Sequence, residues 1–477
     1  MEAKKKSRTT IKPLFVAVVC VICLSLGFGG GYLVFHASTA TSTTTSSTKV
    51  SSSVLSEVIS LINNNWVDST NSKKSITSRM VAGLVDGLGD IHTTYMTADE
   101  ISEFNNSING DYQGIGVTFA KVNEGALITK IFDNTPASKA ELKIGDIIIE
   151  AGGVSLKGKS SDKIKSLIRG KSGTSVTIKV QRGTTSFDKT IKRAALDTDV
   201  YYYLRKAGTK TFGYLQITTF GTDTASQVET ALKYFKSKSV SDLVIDLRDN
   251  GGGYLNAADA ILNLFNEKGQ LLFSMKDKAG NETKYTDTTD THYTFNKGYV
   301  LINGNTASAS ELTAGALSEI QGYTLVGTQS YGKGTAQTQA TLSDSSVLKY
   351  TYAKWYTPKG KNIHGKGLTP DVKVSALTFD DLNVSSFTES YQYDQVNSHV
   401  KTMEIMLKAL GYKPGRTDGY FSKNVQKALK AFQKDNQLSA DGIYTKNVYQ
   451  HLLAKFSIYL AKESNDAQYK KVLSMIQ

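Results

Sequence analysis

A serine ahead of a helix and a lysine between glycines are the residues whose type and setting could do chemistry here. Asn305-Thr306-Ala307-Ser308-Ala309-Ser310-Glu311 joins an apolar strand pattern to a helical one. A hydroxyl placed there meets unpaired N–H groups and the positive end of the helix dipole, which favour developing negative charge. That suits an acyl-transfer nucleophile, although a small-residue run before a helix more often serves only as a cap. Twenty-five residues after Ser308 comes Lys333, in Tyr331-Gly332-Lys333-Gly334-Thr335-Ala336-Gln337. Such a lysine is usually a solvated loop residue. An unperturbed lysine titrates near about 10.4, so it must lose its charge to act as a base. Burial in an apolar site does that. A carboxylate partner would stabilise the ammonium, whereas a neutral amide such as Gln337 can orient the amine without that penalty.

Serine and lysine in this order, with glutamine four residues after the lysine, resemble the C-terminal processing (tail-specific) serine proteases over residues 54–375. The resemblance implies that Ser308 is the nucleophile, Lys333 the base and Gln337 the residue that positions the lysine. Acyl transfer also needs two convergent N–H donors. One is expected from Ala309. The other is expected from Asp246-Leu247-Arg248-Asp249-Asn250-Gly251-Gly252-Gly253, with Gly252 the candidate, although the sequence leaves open which glycine donates. This string resembles the family's D-L-R-x-N-x-G-G turn, with Gly251 where proline is usual. A Ser–His–Asp triad is the competing arrangement. His92, in Gly89-Asp90-Ile91-His92-Thr93-Thr94-Tyr95, and His364, in residues 360–367, lie in strings that resemble structural motifs of the family. No H-E-x-x-H or paired-carboxylate signature occurs, so no metal, cofactor or glycosidase chemistry is expected.

The elements that must position these residues follow from periodicity. Residues 212–374 alternate strands and helices, which predicts an α/β protease core. Residues 111–193 read as short strands with two helices, carrying Pro136-Ala137 and Gly145-Asp146-Ile147-Ile148. This order resembles a permuted bacterial PDZ domain, with Glu141 where a glycine is usual. The resemblance implies that the strand at Gly114, Ile115, Gly116 and Val117 binds a substrate C-terminus by strand addition. It also implies that Arg169 senses the docked PDZ state near the active site, although an ordinary surface arginine fits the same position. Residues 396–453 are all helical, punctuated by Asp418-Gly419, Asp441-Gly442 and Phe432-Gln433. They resemble a three-helix peptidoglycan-binding domain. From residue 393 onward, 13 Lys and Arg stand against 7 Asp and Glu, a basic surface suited to an anionic wall.

Residues 14–35 form an apolar stretch without charge, preceded by Lys4, Lys5, Lys6, Arg8 and Lys12. At 1.5 Å per residue such a helix spans about 33 Å, enough for a bilayer core. The preceding positive charge keeps the N-terminus cytoplasmic and sends the rest outside. The run is longer than a usual signal core, so an uncleaved single-pass anchor is favoured over a cleaved signal peptide. The Ser/Thr-rich residues 36–53 read as a flexible tether.

The 477 residues carry a formal charge of +13 without any Arg-rich helix, finger or RNA-reading motif, so nucleic acid is not an expected partner. Both cysteines, Cys20 and Cys23, lie in the apolar run, which rules out a disulfide framework in the exported part. The fold class expected is multidomain α/β. The segments are a cytoplasmic tail (1–13), anchor (14–35), linker (36–53), helical N-terminal part of the protease (54–110) and PDZ domain (111–195). The protease core (196–385), peptidoglycan-binding-like domain (396–456) and helical tail (457–477) follow. The function expected is a cell-membrane, outward-facing serine endopeptidase that cuts exported proteins near their C-termini, gated by its PDZ domain and held near peptidoglycan. A homodimer is left open. The rival readings are a catalytically inactive wall-anchored PDZ adaptor and a cell-wall hydrolase. Intact Ser308, Lys333 and Gln337 argue against the first, and the lack of metal and thiol ligands against the second.

Overall fold

The computed structural model describes residues 52–66, 75–108, 112–196, 199–387 and 389–477. The expected anchor at residues 14–35 lies outside them. Among the described residues no helix is long and apolar enough to cross a membrane. The chain divides into two units, Met1–Ile76 and Thr77–Gln477. In the first, the helix Ser52–Asn65 forms where apolar residues recur at helical spacing, and Val54, Leu55, Val58 and Leu61 remain exposed.

In the larger unit the protease core is a six-stranded sheet. Its order is Val200–Ala207, Lys210–Ile217, Asp242–Asp246, Lys297–Ile302, Thr324–Gly327 and Val372–Lys373, parallel except for the first pair. The expected strand–helix alternation is present. Successive side chains on a strand point to opposite faces, and both faces here are covered. Leu243, Ile245, Val300 and Ile302 pack with helices Thr224–Ser237, Leu255–Asn263 and Ala309–Gln321. The intervening Val244, Tyr299 and Leu301 pack against Tyr469, Val472 and Ile476 of the C-terminal helix Ala467–Ile476. The unbroken apolar runs at 243–245 and 299–302 follow from this double coverage.

The PDZ sheet repeats the device. Its order is Val117–Val122, Gly125–Ile131, Ile147–Ala151, Ser175–Arg182 and Thr185–Lys192. Ala126, Ile128 and Ile148 face the PDZ helix Ser161–Ile168. Leu127 and Ile147 share a second cluster with Met403, Leu429, Leu453 and Phe456 of the C-terminal helices Ser398–Ala409, Lys423–Asp435 and Lys446–Leu460. The wall-binding-like domain is therefore packed onto the back of the PDZ sheet. Gln181 Nε2 donates to Gln450 Oε1 at 2.9 Å, and Lys446 stands 3.5 Å from the buried carboxylate of Glu124. Glu141, at the usual glycine position, takes φ +58°. Arg182 donates to its carbonyl while gripping Asp146 through two further bonds, which holds the strained loop.

A second sheet joins Leu271–Asp277, Glu282–Thr286, Thr335–Thr341 and Val347–Tyr356 to the short strand Thr94–Met96. This brings the Asp90–Tyr95 string from far upstream against the strand beside Gln337.

Leu127→Ala should cost about 2–5 kcal/mol, because it empties a fully buried site shared by two domains. Hydrogen exchange should speed up in the PDZ sheet and in the helix Lys446–Leu460 together. Faster exchange in the PDZ sheet alone would mean that the two cores are independent.

Candidate active site

Ser308 opens the helix Ala309–Gln321 from a backbone at φ +58° and ψ −121°, a region that residues with a Cβ rarely occupy. Such strain costs on the order of 1–3 kcal/mol and persists only where the surroundings enforce it. Glu311, three residues on and fully buried, supplies much of that enforcement. Its Oε2 accepts from the N–H of Ser308 at 2.9 Å and the N–H of Lys333 at 2.8 Å. Its Oε1 accepts from Ser330 Oγ at 2.5 Å and the N–H of Gly332 at 2.7 Å. One carboxylate thus joins the serine turn to the lysine loop. The N–H of Tyr331 adds a bond to the carbonyl of Thr306, and Trp355 Nε1 donates to the carbonyl of Lys333.

The Lys333 side chain is half-buried. Burial, then the ammonium of Lys349, push its amine below the ordinary lysine range, against the opposing pull of Asp90 and Glu311. Gln337 follows a β-bulge and stands opposite Thr351 on the strand Val347–Tyr356. Its Nε2 donates to Thr335 Oγ1 and Thr351 Oγ1, each at 3.1 Å. His92 and His364 lie edge to face with centroids 6.5 Å apart. Burial, and next the charge of Lys333, push His92 below its ordinary range. The upstream string therefore lines the lysine's surroundings.

The N–H of Ala309 is the first amide of the helix, where no intrahelical acceptor exists. The glycine turn rests directly on Ser308. A Cβ on Gly252, whose φ is +99°, would lie 2.8 Å from the Ala307 carbonyl oxygen and 2.9 Å from Ser308 Cβ. The Gly252 N–H itself donates to Asn250 Oδ1 at 2.9 Å. A Cβ on Gly251 would meet nothing within 4 Å, so that position makes no steric demand for glycine. The turn is instead clamped from both sides. The Asn250 carbonyl accepts from the N–H of Ala307 and from Ser310 Oγ, each at 3.0 Å, and Asn250 Nδ2 donates to the Ile217 carbonyl at 2.8 Å. On the other side Arg248 bonds both oxygens of buried Asp246 and, at 2.7 Å, Asp466 at the start of the C-terminal helix. Burial works against the Asp246 anion, but Arg248 holds its carboxyl below the usual range.

Gly114, Ile115, Gly116, Val117, Ile168 and Arg169 line one groove, of about 370 Å³, beside the sheet-edge strand Val117–Val122. Arg169 follows the helix Ser161–Ile168 and flanks this groove. Thr218 of the protease core also lines it. Among the described residues no group of three His, Cys, Asp or Glu side chains is gathered as a metal would need.

Sequence reasoning did not assign roles to Glu311, Asn250, Asp466 or the link from Asp90 through Thr93 to Thr351. Only Glu311 carried a local signal, since Ser308-x-x-Glu311 has the spacing of a capping box. The others act across 33 to 258 residues of chain.

Residues 211–374 match peptidase family S41, residues 113–192 the PDZ domain family and residues 396–452 the peptidoglycan binding domain family. A CtpA-like serine protease of Staphylococcus epidermidis is 34% identical over 85% of this chain and 81% of its own. The carboxy-terminal processing protease CtpB of Bacillus subtilis is 34% identical over 87% of each chain. A photosystem II D1 C-terminal processing protease of solved structure aligns over 68% of this chain and 90% of its own, at 23% identity and a TM-score of 0.45. The chain belongs to the carboxy-terminal processing serine peptidases of family S41.

Glu311→Gln replaces an anion that accepts four bonds. It should destabilise the fold by on the order of 3 kcal/mol, measured by urea denaturation. It should also slow Ser308 labelling by a fluorophosphonate about a hundredfold, through misplacement of the hydroxyl. Labelling at the wild-type rate would show that Glu311 does not set the serine turn.

Proposed function

We propose that this protein is an outward-facing serine endopeptidase that cuts exported proteins near their C-termini by a Ser308–Lys333–Gln337 mechanism. The buried Glu311 carboxylate, bonded to the backbone of both Ser308 and Lys333, carries this reading. Neutral Lys333 takes the Ser308 proton as Oγ attacks the scissile carbonyl carbon. The N–H of Ala309 and an amide of the 250–253 turn hold the oxyanion. Collapse expels the amine, which takes the proton from Lys333 and leaves an ester on Ser308. Water then gives a proton to Lys333 and attacks the ester. The acid product departs as the proton returns to Ser308 Oγ.

The PDZ groove is the regulatory entry in this reading. A substrate C-terminus adds to the edge strand at Val117, with its carboxylate at the Gly114–Val117 backbone and beside Arg169. Thr218 lies between residues that hold the oxyanion turn. Ile217 accepts from Asn250, and the N–H of Phe220 donates to the Gly252 carbonyl at 3.1 Å. Docking can therefore shift the turn and free the Gly252 N–H from Asn250. Residues 14–35 anchor the chain with its N-terminus cytoplasmic, and residues 396–456 hold it at peptidoglycan. The exposed apolar residues of Ser52–Asn65 offer a surface for a second copy of the chain.

Ser308→Ala and Lys333→Ala should abolish cleavage of an unfolded protein, and Gln337→Ala should lower kcat about tenfold to a hundredfold. The lysine must be neutral to act, so wild-type kcat/KM should rise with pH through an ionisation below the ordinary lysine value. Substrates with amidated C-termini should be cut more slowly. Wild-type rates in Lys333→Ala would overturn the mechanism, and indifference to the terminal carboxylate would overturn the PDZ role.

The full ectodomain should sediment with purified peptidoglycan. Sedimentation only with teichoic-acid-bearing walls, lost at high salt, would reduce the interaction to charge. Absence from both pellets would remove the wall-binding role.

A further inference from the structure

The Gln337 amide is held by a chain of bonds that begins at Asp90. Asp90 Oδ2 accepts from Thr93 Oγ1 at 2.6 Å, and Oδ1 accepts from the N–H of His92 at 3.0 Å. Although burial raises it, these bonds hold the Asp90 carboxyl down to about 2, so it is an anion at any working pH. A carboxylate anion can only accept, and each hydroxyl has one proton to give. Thr93 directs its proton at Asp90 and then has only lone pairs for its other neighbour. Thr93 Oγ1 accepts from the N–H of Thr351 at 3.1 Å, and Thr351 Oγ1 accepts from Gln337 Nε2 at 3.1 Å. With its nitrogen bonded to Thr351 and Thr335, the Gln337 amide keeps its carbonyl oxygen as the remaining acceptor.

Resting on the Ser308–Lys333 reading above, we propose that Asp90 and Thr351 are positioning residues for proteolysis, fixing Gln337 so that its carbonyl oxygen faces the Lys333 amine. A neutral lysine that accepts the serine proton must turn its lone pair to Ser308. An N–H bond to a fixed carbonyl on its other side directs the lone pair there without stabilising the ammonium as an anion would. Asp90 is near enough to favour the Lys333 ammonium, as does Glu311, while burial and Lys349 oppose it, and neutral His92, with His364 against it, stands by. Asp90 therefore has two separable effects. Through Thr93 and Thr351 it aims the base, and through its charge it raises the pH at which the base becomes free. The short strand Thr94–Met96, paired to Val347–Leu348–Lys349, keeps the string in register with Thr351.

The test measures kcat and KM against pH on a peptide substrate, for Thr351→Val, Thr351→Ser and Asp90→Asn in the full ectodomain, beside Lys333→Ala. Thr351→Val should lower kcat about tenfold or more with KM within about twofold. Thr351→Ser, which keeps the hydroxyl, should recover most of that loss. Asp90→Asn should lower kcat and move the acid limb of kcat/KM to lower pH, because the anion that favoured the ammonium is gone. Wild-type kcat in Thr351→Val and Asp90→Asn, with Lys333→Ala inactive, would overturn this inference and leave the mechanism standing. Losses that follow thermal stability, with no recovery in Thr351→Ser and an unmoved acid limb, would also overturn it. Activity in Lys333→Ala would instead overturn the reading on which it rests.

Discussion

A buried carboxylate with four donors around it is the interaction on which this site depends. Glu311 is fully buried, and an unpaired anion there would be costly. Its acceptors are filled by the N–H groups of Ser308, Gly332 and Lys333 and by the Ser330 hydroxyl. Three of those donors belong to the lysine loop and one to the serine turn. Neither segment can move without leaving the carboxylate short of a partner. The left-handed backbone at Ser308 is affordable for that reason. The oxygens facing Lys333 also set a limit, since an anion close to the amine favours its charged form. Burial and the nearby Lys349 ammonium act in the other direction.

Around that centre, distant parts of the chain each immobilise one piece. Asn250 ties the glycine turn to Ala307 and Ser310. Arg248 ties the same turn to the C-terminal helix through Asp466, which also caps that helix by accepting from the N–H groups of Gln468 and Tyr469. The upstream string carrying Asp90 fastens the strand beside Gln337. A side chain misplaced by about 1 Å can lose two orders of magnitude in rate, and three clamps from separate regions answer that demand.

Both principal sheets are covered on each face, and the C-terminal region supplies the second cover in both cases. Its three helices share a core with the PDZ sheet, and its last helix closes the protease sheet. The domain that matches the peptidoglycan binding domain family thus shares a core with the PDZ sheet, and the helix that follows it is tied to Arg248 of the glycine turn. The Glu124–Lys446 pair at the first junction sets a buried carboxylate against a half-exposed ammonium, which makes removal of the lysine costlier than its exposure suggests.

The amino-acid sequence by itself determined the order of the domains, the serine and lysine motifs and the turn that follows Asp246. These are local patterns, set by periodicities of 2 and 3.6 residues and by short runs of small residues. It also contained the unbroken apolar runs at 147–149, 243–245 and 299–302 without saying what covers them. A run apolar on both faces shows that two partners exist, but the partners lie tens to hundreds of residues away. The spacing from Ser308 to Glu311 was legible as a cap, while its four-way bonding was not, because three donors come from a loop about twenty residues on. Only the tertiary structure decided that Gly252 spends its N–H on Asn250, that Arg169 flanks the PDZ groove, and that Asp90 reaches Gln337 through Thr93 and Thr351. Each of those is a hydrogen-bond direction or a neighbour across a sheet. Such relations depend on register and chain path, which no short window of residues specifies.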